Sequence, residues 1–337
     1  MFKYYKLLFL YTLMLGSLIS ISSYSWMSMW IGLEINLLSI IPLLSDSKNI
    51  YPAESTIKYF ITQALASIIL LFSIIIISNL KEFFPQNSNM FLMMIMNSAL
   101  LTKMGAAPFH AWFPEVMEGL DWANCLLMLT WQKLAPMILL MYNLKMTLFL
   151  SMIIIFSSLI GSIIGLNQIS LRKILAYSSI NHIGWMIASM LNSQNIWFIY
   201  FLVYSIISLN IILIFKNLNI YFLKQLFNSL NSNKLLKFFF LINFLSLGGL
   251  PPFLGFFPKW LTINNLVQNN FFMISLLLII LTLVTLFFYL RILFSTMILN
   301  SNEVVIFNKS KFNFFMILIN FLSLGGLLIC TLTLNSF

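Results

Sequence analysis

Apolar runs of about 18 residues or more follow one another along this chain, with short polar breaks between them. As a helix, a run of that length crosses the roughly 30 Å of hydrocarbon in a bilayer. Composition agrees. Of the 337 residues 61% are hydrophobic and 8% charged, with a mean hydropathy of +0.98. A soluble domain is nearer half apolar and a quarter charged. The pattern therefore predicts an all-α, polytopic membrane protein. A transmembrane barrel would need short alternating segments, and the sequence has none.

Apolar runs and polar breaks divide the chain into about 11 transmembrane helices, over residues 4–24, 26–44, 56–78, 90–106, 122–142, 146–166, 171–191, 195–216, 236–266, 271–294 and 312–335. Lys3 and Lys6 precede the first run, but no small-residue cleavage site follows it, so it reads as a helix rather than a secretory signal. Basic residues test the layout. Thirteen fall on the side of the N-terminus, only Lys81 and Lys145 on the other, and Lys103, Lys133 and Lys259 within the membrane. The positive-inside rule then places the N-terminus in the matrix or cytoplasm and the C-terminus opposite. A net charge of +10 does not imply nucleic acid here, because the basic residues are scattered singly through loops. Cys125 and Cys330 offer neither metal-ligand spacing nor a disulfide framework.

Residues 105–114 and 249–258 share the pattern G-x-x-P-F-x-x-x-F-P, displaced by 144 residues, and each copy falls inside a helix. Five helices separate the copies, so they run oppositely through the membrane. The sequence thus predicts inverted five-helix repeats, 1–144 and 145–294, with 295–337 left as a C-terminal loop and helix. Proline removes a backbone donor and clashes with the preceding turn, so both helices should be broken. Carbonyls freed near Met104 and near Leu247 and Gly248 must then find partners in neighbouring helices or in a wet cavity. Paired breaks of this kind point to a transport site; a single one would read as a packing kink.

An ionisable group in hydrocarbon costs roughly 2.5–3.5 kcal/mol on insertion scales. Lys103, Lys133, Lys259 and Glu34 are so placed, and the pattern fits a proton or cation path. Lysines near helix ends can instead snorkel to the interface, which applies most to Lys259. Lys103 is the candidate partner for Glu34. At about 7 Å and an effective dielectric near 20 the pair gains roughly 2.4 kcal/mol, a size suited to switching. A static ion pair is the plainer reading. His182, with Ser178, Ser179 and Asn181, forms a polar band in the seventh helix, and the repeat displacement carries Glu34 onto Ser178. That histidine either hands on a proton or packs with a hydrogen bond. His110 lies within the first break, and Glu115, Glu118 and Asp121 read as a solvated loop after it. No dinucleotide fingerprint, phosphate loop, Cys-x-x-Cys or haem-type histidine pair is visible.

Several motifs together resemble the antiporter-like subunits of respiratory complex I. They are Trp30-Ile31-Gly32-Leu33-Glu34-Ile35-Asn36, the stretch from Leu101 through Lys103 to His110, Thr130-Trp131-Gln132-Lys133-Leu134-Ala135-Pro136, Arg172 to Ile180, and Gly248 to Pro252 leading to Pro258-Lys259-Trp260. The resemblance implies a cofactor-free, proton-translocating subunit in the mitochondrial inner membrane. NAD, FMN, iron–sulfur clusters and ubiquinone would be held by partner subunits. It also implies a path through Glu34, Lys103, Lys133 and Lys259 along the membrane midplane. Expected partners are a neighbouring antiporter-like subunit, the small 4L-type subunit, accessory subunits and phospholipids including cardiolipin, without nucleic acid. Longer members carry three further N-terminal helices, and in their place lipid or accessory subunits would cover the flank. Two other readings stay open at this point: a subunit of a cation/proton antiporter complex, or a structural spacer without proton transfer.

Overall fold

Short polar turns set the helix boundaries. The Ser25 hydroxyl accepts the Ser28 backbone N–H at 3.2 Å, an N-cap that ends one apolar run and starts the next. The two helices so divided are α1 (Tyr4–Ser22) and α2 (Trp26–Leu44). The computed structural model describes residues 4–45, 50–80, 89–230 and 234–298, plus Asn320, Phe321, Ser323, Gly325 and Gly326. The sequence expectations for Lys3, Lys48, Lys81, Lys309, Lys311, Cys330 and most of the helix over 312–335 lie outside the described residues.

After α2 come α3 (Ile50–Leu80), α4 (Asn89–Met104), the short α5 (Trp112–Gly119), α6 (Trp122–Leu129), α7 (Trp131–Met141) and α8 (Thr147–Gly165). Then follow α9 (Leu171–Met190), α10 (Gln194–Leu218), the short α11 (Leu223–Leu230), α12 (Lys234–Gly248), α13 (Phe256–Gln268) and α14 (Phe272–Ile298). Seven helical spans among the described residues are long and apolar enough to cross a membrane, and α4 and α12 add shorter apolar helices.

The structure redraws parts of the sequence reading. The fifth predicted helix is interrupted at Thr130, whose φ of −113° and ψ of −73° separate α6 from α7. Glu115 and Glu118 belong to α5 rather than to a loop. The third helix starts earlier, at Ile50, because Pro52 sits in the first turn, where no intrahelical N–H is required. α11 ends in a region read as loop, and its start is pinned by Gln225, which accepts the Tyr221 and Phe222 N–H groups at 2.9 and 3.2 Å.

The chain forms two compact units, Met1–Ile153 and Ile154–Phe337. Both use a glycine to bring helix backbones together. A side chain at Gly16 would meet the backbone of Gly32 and Asn36 within 3.0 Å, joining α1 to α2. One at Gly161 would meet the backbone of Tyr177 and Asn181 at 2.8 Å, joining α8 to α9. In each case the neighbours lie 16 and 20 residues on. This packing relates the two helix pairs by 145 residues, where the broken motifs are related by 144. On that register Asn36 matches Asn181, and Glu34 matches Ser179 rather than Ser178. Seventeen of the 20 residues of α9 are buried, polar ones included.

Candidate functional site: buried lysines at interrupted helices

In the first unit, α4 ends at Met104 and the chain turns at Gly105, whose φ of +75° suits a residue without a Cβ. The carbonyls that the helix end releases are met by neutral donors. Trp112 Nε1 donates to Thr102 O at 3.0 Å and Gln63 Nε2 to Lys103 O at 3.4 Å. Lys103 itself occupies the last turn of α4, where a cation faces the partial negative charge of the helix terminus. Its side chain is 7% exposed.

Glu34 interacts with Lys103 through space, with the charged atoms more than 4.0 Å apart rather than in a closed ion pair. The carboxyl is partly buried, and its Oε1 lies inside the unit with no hydrogen-bond partner there. Ile31 and Leu38, one turn to either side on α2, are 44% and 61% exposed, so Glu34 sits at the margin of that helix's outward face.

Lys133 follows the Thr130 interruption by three residues and is 1% exposed. Its ammonium stands 5.4 Å from the centre of the Phe113 ring, within cation–π range. The preceding residue anchors a buried polar chain. Gln132 Nε2 donates to Asn36 Oδ1 at 2.9 Å, and Tyr59 donates its hydroxyl hydrogen to Gln132 Oε1 at 3.4 Å. These two bonds tie α2, α3 and α7 together next to the lysine.

The second unit repeats the break with the charge moved. Gly249 turns the chain at φ +78°, and Lys259, on α13 beyond the break, reaches back to the end of α12. Its ammonium donates to Gly248 O at 2.9 Å and Leu247 O at 3.2 Å. A Cβ on Gly249 would sit 2.8 Å from Lys259 Cδ, so this glycine also makes room for the lysine. Lys259 is 7% exposed and lies 5.9 Å from the Trp185 ring of α9.

One turn before Trp185 on α9, His182 shares a 2.9 Å hydrogen bond between Nδ1 and the Tyr200 hydroxyl and lies 5.1 Å from the Tyr204 ring. Ser179 and Ser178 interact with the phenols of Tyr204 and Tyr289. His182 and Tyr200 line a small cavity with Ser246, Leu247 and Pro258, of about 10 Å³, room for about one water. The histidine and Lys259 thus share Leu247 as a neighbour.

The remaining sequence candidates lie apart. His110 is bonded to the Pro108 carbonyl at 3.2 Å at the surface of the break. Glu115 is 58% exposed and pairs with Lys58 at 3.0 Å. Among the described residues no three His, Cys, Asp or Glu side chains converge as a metal would require. Sequence inspection missed Tyr59, Gln63, Gln132, Tyr200 and Tyr204. The amides carried a usable signal, since an amide in an apolar run is costly for the same reason as a lysine.

A family described as NADH:quinone oxidoreductase/Mrp antiporter, transmembrane, matches residues 23–285. The NADH-ubiquinone oxidoreductase chain 2 of Anopheles gambiae is 49% identical over 330 residues, 96% of each chain. A chain of respiratory complex I from Thermus thermophilus superposes with a TM-score of 0.85 at 23% identity, covering 97% of this chain and 79% of that one. A chain of the Mrp complex from Dietzia sp. DQ12-45-1b gives 0.74 at 16% identity, over 83% and 58%. The two solved structures establish a shared fold. On the sequence match, the chain belongs to the NADH:quinone oxidoreductase/Mrp antiporter family of membrane subunits.

Proposed function

We propose that this chain is the antiporter-like core membrane subunit of a proton-translocating NADH:ubiquinone oxidoreductase, resident in the mitochondrial inner membrane with its N-terminus in the matrix. Identity to chain 2 relatives over nearly the full length supports the complex, and the skewed distribution of basic residues supports the orientation. The 3.0 Å ion pair of Lys58 with Glu115 adds to that layout, because it joins two loop-proximal residues assigned to the same side. On this reading the chain makes 11 crossings in two inverted five-helix halves. Redox groups reside in partner subunits, among them a neighbouring antiporter-like subunit and a small 4L-type subunit. Accessory subunits and phospholipids including cardiolipin complete the surround.

The observation that carries the proton role is the placement of Lys103, Lys133 and Lys259, all buried and each beside an interrupted helix. A helix that runs on unbroken keeps its backbone N–H and C=O groups bonded to one another and leaves none for a buried charge. Interrupted helices, by contrast, present backbone dipoles that hold a mobile charge at low cost in reorganisation. Glu34 stays close enough to bias Lys103 yet outside contact distance, so a rearrangement elsewhere can strengthen or release the bias. Lys133 lies beside the Gln132–Asn36–Tyr59 chain, and Lys259 beside the His182–Tyr200 cavity. Each unit therefore offers a lysine that takes up and gives back a proton beside buried groups that donate and accept hydrogen bonds, with the exchangeable protons on Tyr59 in one unit and on His182 and Tyr200 in the other.

The test uses the intact complex in proteoliposomes, following NADH-driven acidification. Lys103→Ala and Glu34→Gln are expected to lower acidification per assembled complex without loss of assembly. Wild-type coupling in both variants removes the pair from the mechanism. Copurification with NADH-oxidising, quinone-reducing subunits, rather than isolation within a small antiporter complex, checks the assignment to complex I.

A further inference from the structure

The described helices of the second unit contain many basic residues and no carboxylate. No Asp or Glu occurs between Asp121 and Glu303. Over that stretch Arg172, Lys173, Lys216, Lys224, Lys234 and Lys237 all fall on the side assigned to the N-terminus. The first unit treats the same side differently. Lys58 lies 3.1 Å from Glu54 and 3.0 Å from Glu115, Glu115 stands in the first turn of α5, and Asp121 is the N-cap residue of α6. The positive-inside rule accounts for the lysines and arginine, but not for the missing acids, which weigh little in it.

Most of these cations stand where their own helices disfavour them. Arg172 and Lys173 lie in the first turn of α9, Lys224 in that of α11, and Lys234 and Lys237 in that of α12. A helix start carries partial positive charge, so a cation there is repelled. Of the six, Lys216 alone meets a negative helix end, in the last turn of α10. Backbone bonds hold two of the helix starts together. Leu171 N donates to Tyr221 O at 3.0 Å and Leu223 N to Ile169 O at 3.3 Å, around an antiparallel bridge between Ser170 and Phe222. The Arg172 guanidinium lies 4.7 Å from the centre of the Tyr221 ring, which limits its orientation. α11 packs against α12 and α14 and turns Leu226 and Leu230 inward, while Lys224 and Gln225 are exposed. Phe222, Leu235 and Phe238 are exposed beside the cations. Cations and large apolar side chains laid open side by side suit the boundary between lipid headgroups and acyl chains.

From this arrangement we infer that the face formed by the starts of α9, α11 and α12 binds anionic phospholipid headgroups of the matrix leaflet, with Arg172, Lys173 and Lys224 holding the phosphate. The leaflet named rests on the orientation proposed above. A guanidinium offers paired N–H donors that match phosphate oxygens, and the lysines add charge at its flanks. An anion at these helix starts also replaces repulsion between cation and dipole with attraction to both. Phe222 and Phe238 then meet the acyl region below the headgroup. An acidic soluble partner would answer the charges but leave those two rings in water, so charge and apolar exposure together favour lipid.

The experiment reconstitutes the intact complex in liposomes of phosphatidylcholine and phosphatidylglycerol in equal parts. A trace of either lipid carries a diazirine beside its headgroup, and labelled peptides are mapped by mass spectrometry. The phosphatidylglycerol probe should label the segments around Arg172 and Lys224 well above the phosphatidylcholine probe. Equal labelling by the two probes overturns the site, and that comparison needs no variant to assemble. Arg172→Gln and Lys224→Gln should each lower labelling by the anionic probe about fivefold, the effect of one cation near a membrane surface. Lys216→Gln, which removes a charge already placed at a favourable helix end, should lower it less. An equal loss there would mean diffuse attraction and no site. Inorganic phosphate in place of chloride at the same ionic strength should leave the labelling unchanged; displacement would assign the residues to free phosphate and overturn the lipid. The side is checked separately. Lys224→Cys should react with a membrane-impermeant maleimide, above the wild-type level, in inverted inner-membrane vesicles and not in mitoplasts. The reverse result overturns the matrix orientation and the leaflet named here, while the two probes still decide whether an anionic lipid is bound.

Discussion

The breaks at Gly105 and Gly249 begin from the same backbone problem and solve it differently. Each ends an α-helix inside the protein at a glycine with φ near +75° to +78°, which leaves carbonyls without intrahelical donors. At the first break, neutral side chains fill that need: the Trp112 indole on Thr102 O and the Gln63 amide on Lys103 O. The ammonium of Lys103 is thereby spared for its interaction with Glu34. At the second break the lysine fills the need itself, with Lys259 on Leu247 O and Gly248 O. Shifted by the repeat displacement, Lys103 falls on Leu247. The second lysine therefore places its charge on the residue where the first half carries its own, having reached it from the far side of the turn. The charge is held in a matching place, while its structural duty differs.

The sharpest way to break the comparison is at Gly255, whose counterpart in the first half is Ala111. A methyl group on Gly255 would overlap the Ser246 carbonyl, because the start of α13 lies directly on the end of α12. Gly255→Ala is expected to cost about 4 kcal/mol or more, from the backbone shift it forces. Ala111→Gly should cost no more than about 1 kcal/mol. The yield and melting temperature of the assembled complex measure both. Equal effects would mean that the two breaks are packed alike after all.

Next comes Lys259→Met, which keeps the volume and removes the donor. Two buried carbonyls then lose their partner, an expected loss of about 2–3 kcal/mol in stability on top of impaired pumping. Thermal unfolding of the purified complex and proteoliposome acidification should both move. A variant with a normal melting temperature would show that other donors reach Leu247 and Gly248, and that the lysine has no capping duty.

The two breaks also mark what the sequence alone can disclose. The glycine–proline motif reveals both interruptions, since Pro and a residue forced to positive φ write their geometry into residue identity. Lys103, Lys133 and Lys259 stand out because full charges are rare in apolar runs. The Thr130 interruption carries no such mark. Threonine is compatible with a helix, and only the packed structure shows the chain departing from it there. The 145-residue register of the glycine contacts was legible in principle, in Gly16-Ser17 against Gly161-Ser162, but a register set by the proline motif alone passes it over. Amides such as Gln132 and Asn243 escape a reading tuned to formal charge. Their importance lies in partners 96 and 77 residues away, which no local pattern encodes.

A smaller effect is expected from Trp112→Phe. The substitution preserves the ring against Tyr59, at 5.7 Å, and deletes only the indole donor to Thr102 O. Since Gly105 N also donates to that carbonyl at 3.2 Å, the loss should stay near 1 kcal/mol. Pumping per assembled complex should be unchanged. A pumping defect here would mean that the indole positions Lys103 and does not merely satisfy a carbonyl, and would draw the two breaks closer in mechanism.

The smallest structural effect belongs to Lys103→Met, and it is the prediction on which the contrast depends. The carbonyls of the first break keep their donors in this variant, and the apolar side chain suits the buried site. The only stabilising contributions lost are the cation at the α4 terminus, about 0.3–1 kcal/mol, and the through-space attraction to Glu34. Assembly and melting temperature should therefore lie close to wild type while acidification falls sharply, the inverse of Trp112→Phe. The double variant Glu34→Gln with Lys103→Met should then be no worse in acidification than Lys103→Met alone, because both changes break one unit. Additive losses would separate the two residues and leave Lys103 acting without Glu34.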